Sequence, residues 1–268
     1  MEGAAASTPV VFVHGLWLHA DSWGAWVDLF RESGYAPTAP GWPGDSASVE
    51  ETRKRADAVA GHGIDDVVEH YARIIGSLDA KPIVIGHSFG GLIAQRLLGQ
   101  DLAAAAVAID PAPIKGVVYL PPSALRVASI ALRNPANKNK AIALTAKQFR
   151  YGFGNTLTEA ESNELFERWT IPSPGKPLFE AAAAGFSSSS PAKVNTANAS
   201  RGPLLVTAGG RDRTVPASVS RSTAKLYRKS AAVTELKEFP DRGHSLALDA
   251  RWRDVADAVL GWLREKSL

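Results

Sequence analysis

The stretch Pro82-Ile83-Val84-Ile85-Gly86-His87-Ser88-Phe89-Gly90-Gly91-Leu92-Ile93-Ala94-Gln95-Arg96-Leu97-Leu98 decides the reading of this chain. A β-branched apolar run precedes the glycines, and an apolar run with helical spacing follows them. The segment therefore reads as buried strand, sharp turn and helix. Gly86 and Gly90 flank Ser88 because so tight a turn leaves its two backbones no room for a Cβ. Ser88 is then expected in a strained conformation that pushes its hydroxyl out at the tip of a sheet. Taken alone, these residues also fit an inert serine in a Gly-rich loop, since the pattern G-x-S-x-G is common by chance.

Upstream, Pro9-Val10-Val11-Phe12-Val13 is an apolar run that ends at His14-Gly15 and reads as a buried parallel strand. Residues 22–32 carry Trp23, Trp26, Val27 and Phe30 on one helical face, and Gly34 ends that helix. Residues 35–39 read as a second strand, followed by the turn-rich Pro40-Gly41-Trp42-Pro43-Gly44-Asp45. Residues 64–78 read as a helix with Asp65 and Asp66 at its positive end. Downstream, residues 105–109 form a strand ending at Asp110-Pro111. The alternation resumes with strand 203–207, helix 217–228, strand 234–239 and the amphipathic helix 251–264. This order predicts an α/β fold with a mostly parallel, doubly wound sheet. Right-handed crossovers bring the C-terminal ends of the strands to one edge, where a site is expected.

Between residues 114 and 199 the alternation breaks, and helices are predicted at 123–132, 158–169 and 177–184. The expected organisation is a core of residues 1–113 and 200–268, with an inserted helical cap, 114–199, lying over the strand edge. Phe149, Tyr151, Phe153, Trp169, Phe179 and Phe186 of the insert either face a pocket or build the insert's own core. Phe153 and Trp169, together with Trp17, are the candidates for substrate contact.

With 268 residues, 45% hydrophobic and 21% charged, the chain fits one large globular α/β unit. It has no cysteine, which excludes disulfides, thiolate metal sites and a cysteine nucleophile. The net charge of +3 comes with a single basic cluster, Thr52-Arg53-Lys54-Arg55, beside Glu50 and Glu51. That cluster reads as a solvated patch, so no nucleic-acid partner is expected. No apolar run is long enough for a membrane span. Residues 1–7 lack the basic and apolar segments of a signal peptide, so a cytoplasmic location is the expectation. The sequence leaves the oligomeric state open.

A serine hydroxyl is a poor nucleophile at neutral pH and needs a base within hydrogen-bond reach. His244, in Asp241-Arg242-Gly243-His244-Ser245 after the last strand, lies at the same sheet edge as Ser88. Such a base needs a carboxylate to fix its tautomer. Asp212, in Gly209-Gly210-Arg211-Asp212-Arg213-Thr214-Val215-Pro216, is the candidate, with Asp110 as its rival. A developing oxyanion needs two N–H donors. The Phe89 N–H at the start of the helix is one candidate and the Leu16 N–H after His14-Gly15 is the other. His14 and His87 read as structural. His19, His62 and His70 lack metal-ligand spacing, so no metal or cofactor is expected.

Jointly, His14-Gly15, Gly86-His87-Ser88-Phe89-Gly90-Gly91, Gly210-Arg211-Asp212 with Val215-Pro216, and Gly243-His244 resemble the α/β-hydrolase superfamily. The resemblance covers essentially the whole chain after Val10. The superfamily's usual first antiparallel strands are not evident before Pro9, so about six strands are expected. This compact start is similar to that of the plant methylesterase and hydroxynitrile lyase branch. The resemblance implies the triad Ser88, Asp212 and His244, with cofactor-free cleavage of an ester, lactone or thioester of a small, largely apolar molecule. The lyases of the branch place a threonine at the position of Gly15 and a lysine at that of Ser245, so hydrolysis is favoured. Ser88 argues against the related enzymes that use a carboxylate nucleophile. The alternatives are a cofactor-free lyase or C–C bond hydrolase on the same triad, or a ligand sensor that turns over slowly.

Overall fold

The computed structural model describes residues 7–118 and 120–268. All but the last residue of the segment 1–7, read above as lacking a signal peptide, lies outside the described residues.

The elements follow in the order β1 Pro9–Val13, α1 Gly24–Glu32, β2 Ala36–Thr38, α2 Val49–Lys54, α3 Ile64–Gly76, β3 Ile83–His87, α4 Phe89–Gly99 and β4 Ala105–Ile109. The chain continues through α5 Pro122–Leu132, β5 Ala141–Ile142, α6 Ala146–Gly152, α7 Glu159–Trp169, β6 Ser173–Pro174 and α8 Lys176–Ala182. It closes with β7 Leu204–Gly209, α9 Ala217–Leu226, β8 Thr234–Phe239 and α10 Trp252–Glu265.

Six strands pair in the order β2-β1-β3-β4-β7-β8, and every pairing is parallel. The strand order reverses beside β1 and β3, which puts the loops after both strands at the switch point, where open α/β sheets build sites. β3 and β4 are buried at every position, as central strands covered on both faces must be. One face packs α1 and α10 through Phe12, Trp26, Phe30, Val107, Val259 and Leu263. Phe12 is central to that layer, with ring centroids 4.9 Å from Trp23 and 5.3 Å from Phe30. The other face packs α3 and α4 through Val11, Val84, Val67, Tyr71, Leu92 and Leu97.

Residues 114–199 supply α5–α8 and a short antiparallel ladder, β5–β6. α6 and the ladder were not expected from the sequence. This segment is bonded to the loop after β1 at several points. Trp17 N–H donates to Ser173 Oγ (2.5 Å), the Trp17 indole donates to the Ile142 carbonyl (3.0 Å), and His19 N–H donates to the Trp169 carbonyl (3.0 Å). It also meets the loop after β7, where Thr214 Oγ1 donates to the Gly152 carbonyl (2.9 Å).

The basic cluster at 52–55 is more than a solvated patch. Arg53, though exposed, donates to the Thr170 and Glu167 carbonyls (both 2.8 Å) and satisfies the free carbonyls at the end of α7. Phe186, a candidate for the pocket or the insert's core, is 96% exposed and belongs to neither. Among the described residues no helix is long and apolar enough to cross a membrane.

The turn after β3 tolerates no added carbon. A Cβ on Gly86 would overlap the Gly90 carbonyl, and one on Gly90 would overlap the Val13 carbonyl. Gly86→Ala is therefore expected to lower the unfolding free energy by about 3 kcal/mol, as overpacking against backbone does. Urea denaturation of the purified variant measures this.

Candidate active site

The turn between β3 and α4 holds Ser88 at φ +56°, in the left-handed region where a non-glycine residue is strained. The strain is tolerated because both sides of the turn are anchored. Ser88 N–H donates to the Ile109 carbonyl (2.9 Å), and the Ser88 carbonyl accepts from Ala112 N–H (2.9 Å). Ser88 is 4% exposed, at the end of the sheet where the loops after β1, β4, β7 and β8 converge.

Asp212 follows β7 and His244 follows β8, and the structure brings them together. His244 Nδ1 lies 2.5 Å from Asp212 Oδ2. The other carboxylate oxygen of Asp212 accepts from Thr214 N–H (2.7 Å) and Val215 N–H (2.8 Å), so the turn that opens α9 fixes the carboxylate. With Nδ1–H given to Asp212, the lone pair of His244 lies on Nε2, which has no hydrogen-bond partner among the described residues. Ser88 Oγ and His244 Nε2 are not bonded to each other in this state. Such bonds are often long in unliganded enzymes and tighten when substrate binds.

Burial sets the protonation of this cluster. It pushes His244 down from its ordinary 6.5 to about 4 and keeps the imidazole neutral. It also pushes Asp212 up to about 7, opposed by the hydrogen bonds that carboxyl accepts. His87, at the end of β3, lies beside His244 with ring centroids 4.6 Å apart. Its Nε2–H donates to the His244 carbonyl (2.9 Å), which holds the loop after β8 in place. Burial holds His87 well below the usual histidine range, so it stays neutral in this role.

The loop after β1 approaches Ser88 from the other side. A Cβ on Gly15 would come within 2.8 Å of Ser88 Cβ, so only glycine lets this loop lie so close. His14 fixes the loop: its Nδ1–H donates to the Gly15 carbonyl (2.9 Å), and its Nε2 lies 2.9 Å from Asp45 Oδ2. Neither Leu16 N–H nor Phe89 N–H is hydrogen-bonded to another described residue, and Phe89 N–H lies at the positive end of α4. Trp17 N–H, by contrast, is taken by Ser173 Oγ.

Of the aromatic candidates, Phe153 reaches the site: its ring stands edge-on to the His244 imidazole at 4.8 Å. Trp17 meets Phe153 edge-on at 6.4 Å, and Phe149 stacks behind Phe153 at 5.0 Å. Trp169 lines a different cavity of about 560 Å³, together with Trp26 and Trp252, which neither Ser88 nor His244 lines. Asp110, the rival acid, is also present: donor atoms of Asp110, Asp212 and His244 lie within 4.8 Å of one another. Three such groups can ligate a metal, but here the Nδ1 of His244 and the oxygens of Asp212 are engaged in hydrogen bonds within the protein.

The site thus joins a serine on a strained elbow to a buried histidine oriented by a carboxylate. The chain belongs to the alpha/beta hydrolase family, whose model matches residues 10–258. No match to the sequence was found among curated proteins. Solved structures similar to this chain include a methylesterase from Arabidopsis, at 15% identity and a TM-score of 0.69, over 96% of this chain and 99% of that one. A monoacylglycerol lipase from Paleococcus ferrophilus is 23% identical with a TM-score of 0.67, over 97% and 96% of the two chains. An extracellular alpha/beta-hydrolase from a Paenibacillus species is 19% identical with a TM-score of 0.68, over 95% and 98%.

If His244 must be neutral and Asp212 ionised for a proton to pass to His244, Asp212 is the first of the two to protonate as pH falls, because burial raises it to about 7 and lowers His244 to about 4. The acid limb of kcat/KM is therefore expected near 7; a pH–rate profile with a neutral ester checks this, and a midpoint at or below about 5 contradicts it.

Proposed function

We propose that this protein is a serine hydrolase of carboxylic esters that works without a cofactor on small, largely apolar molecules, lactones and thioesters included. The observation that carries the reading is the buried Asp212–His244 hydrogen bond, which leaves Nε2 of His244 without a partner, with His244 packed on His87, the residue before a serine at positive φ. In this reading Ser88 attacks the carbonyl while its proton passes to His244 Nε2. Asp212 stabilises the imidazolium, and Leu16 and Phe89 N–H groups hold the oxyanion. His244 returns the proton to the leaving alcohol, and water then resolves the acyl-enzyme by the same route. Residues 114–199 act as a cap, whose Phe153 forms the apolar contact with the acyl group together with Trp17 of the loop after β1.

The position of Ser245 weighs against the lyase reading. Ser245 is buried and its hydroxyl donates to Asp249 Oδ2 (2.9 Å), so this position supplies no cation for a cyanide leaving group.

Ser88→Ala is expected to reduce turnover of short p-nitrophenyl esters by at least about a thousandfold, since loss of a nucleophile removes the covalent route. Unchanged turnover in that variant rejects the reading. Phe153→Ala is expected to raise kcat/KM for longer acyl chains relative to acetate by roughly tenfold, the scale on which pocket methylenes are discriminated. Competing hydrolysis of p-nitrophenyl acetate and octanoate measures that ratio.

A further inference from the structure

We propose that Asp110 is a positioning residue that keeps one proton between its own carboxyl group and that of Asp212, and so holds the Asp212–His244 hydrogen bond in place. The inference rests on the triad reading above.

Asp110 ends β4 and is fully buried, at a backbone φ of +42°, strained for a side chain of this kind. Its Oδ1 accepts from Gly209 N–H (3.0 Å) and from Thr207 Oγ1 (3.3 Å), and its Oδ2 shares the Gly209 N–H (3.1 Å), both partners on β7. The two buried carboxyl groups each bring an oxygen within 4.8 Å of the other. Two carboxylate oxygens cannot bond to each other without a proton between them. Among the described residues neither Asp110 nor Asp212 pairs with a Lys or Arg that would let both ionise. Like charges this close in a buried site leave one group protonated.

The groups facing Asp110 are Asp212 on the loop after β7 and His244 on the loop after β8, with His87 of β3 behind His244. Burial first, and then the charge of Asp212, hold the Asp110 carboxyl well above the usual carboxylate range, while His244 opposes them. The shared proton therefore sits on Asp110, which donates it to Asp212. With Thr214 and Val215 N–H on its other oxygen, Asp212 is then held facing His244.

An amide can make the same donation. In Asp110→Asn the Oδ1 would keep Gly209 and Thr207, the second oxygen's share of the Gly209 N–H would be given up, and the Nδ2–H would be free to donate to Asp212. Asp110→Ala removes the donor. Asp110→Ala is expected to lower kcat for p-nitrophenyl acetate by about tenfold with little change in KM, and Asp110→Asn to restore most of that loss. Full activity in Asp110→Ala, or an Asp110→Asn variant no faster than it, overturns the proposal.

A second measurement does not depend on turnover. A carboxyl whose folded pKa is raised contributes stability that is fully present below its unfolded value of about 3.9 and is lost as pH rises through the folded value. Urea unfolding across that range is expected to show wild type losing stability that Asp110→Asn does not lose. Parallel curves overturn the shared proton while leaving the ester reading intact. A Ser88→Ala variant that still turns over ester rejects the ester reading and leaves the shared proton standing.

Discussion

A 2.5 Å hydrogen bond between His244 and Asp212, closed off from water, is the interaction on which the rest of the site depends. Its partners come from different strands, 32 residues apart, and meet only because β7 and β8 run parallel and end at the same edge. It gives the imidazole one tautomer. Burial then keeps that imidazole neutral, which is the state a general base must start from. The protein spends little structure on this bond directly. Two backbone N–H groups hold one oxygen of Asp212, the His87 ring holds the His244 carbonyl, and Asp110 lies next to the carboxylate.

The second constraint is steric. The loop after β1 and the elbow after β3 are pressed together until Gly15, Gly86 and Gly90 are the only side chains that fit. Gly15, Leu16 and the start of α4 are brought to the Ser88 turn by this approach. The insert is tied to the same loop through Trp17, whose indole and backbone donate to Ile142 and Ser173. The insert and the loop after β1 are therefore mechanically linked. Phe153 bridges from the insert to the imidazole itself.

Much of this was legible in the sequence because the chemistry follows strand ends. Ser88 and Asp212 follow apolar strands and His244 follows the alternating strand Thr234–Phe239, and a parallel sheet sends all such positions to one edge. The sheet itself was legible for the same reason, and observed strand bounds differ from the expected ones by a residue or two. Asp110 was visible only as a competitor to Asp212, because a sequence cannot say that two loops touch. The structure makes the two acids neighbours rather than alternatives. Helix α6 was missed, although its capping box, Thr145 with Gln148, is written in the sequence. The two-residue strands β5 and β6 carry no periodicity to read. The capping of α7 by Arg53 joins residues more than 100 positions apart, so local charge patterning suggested only a solvated cluster.

The most direct test is a structure of the protein after reaction with a fluorophosphonate. The expected result is a covalent adduct on Ser88 Oγ, its phosphoryl oxygen within hydrogen-bond distance of the Leu16 and Phe89 N–H groups, and His244 Nε2 turned to the serine oxygen. An adduct on another residue, or a phosphoryl oxygen facing away from both N–H groups, would contradict it.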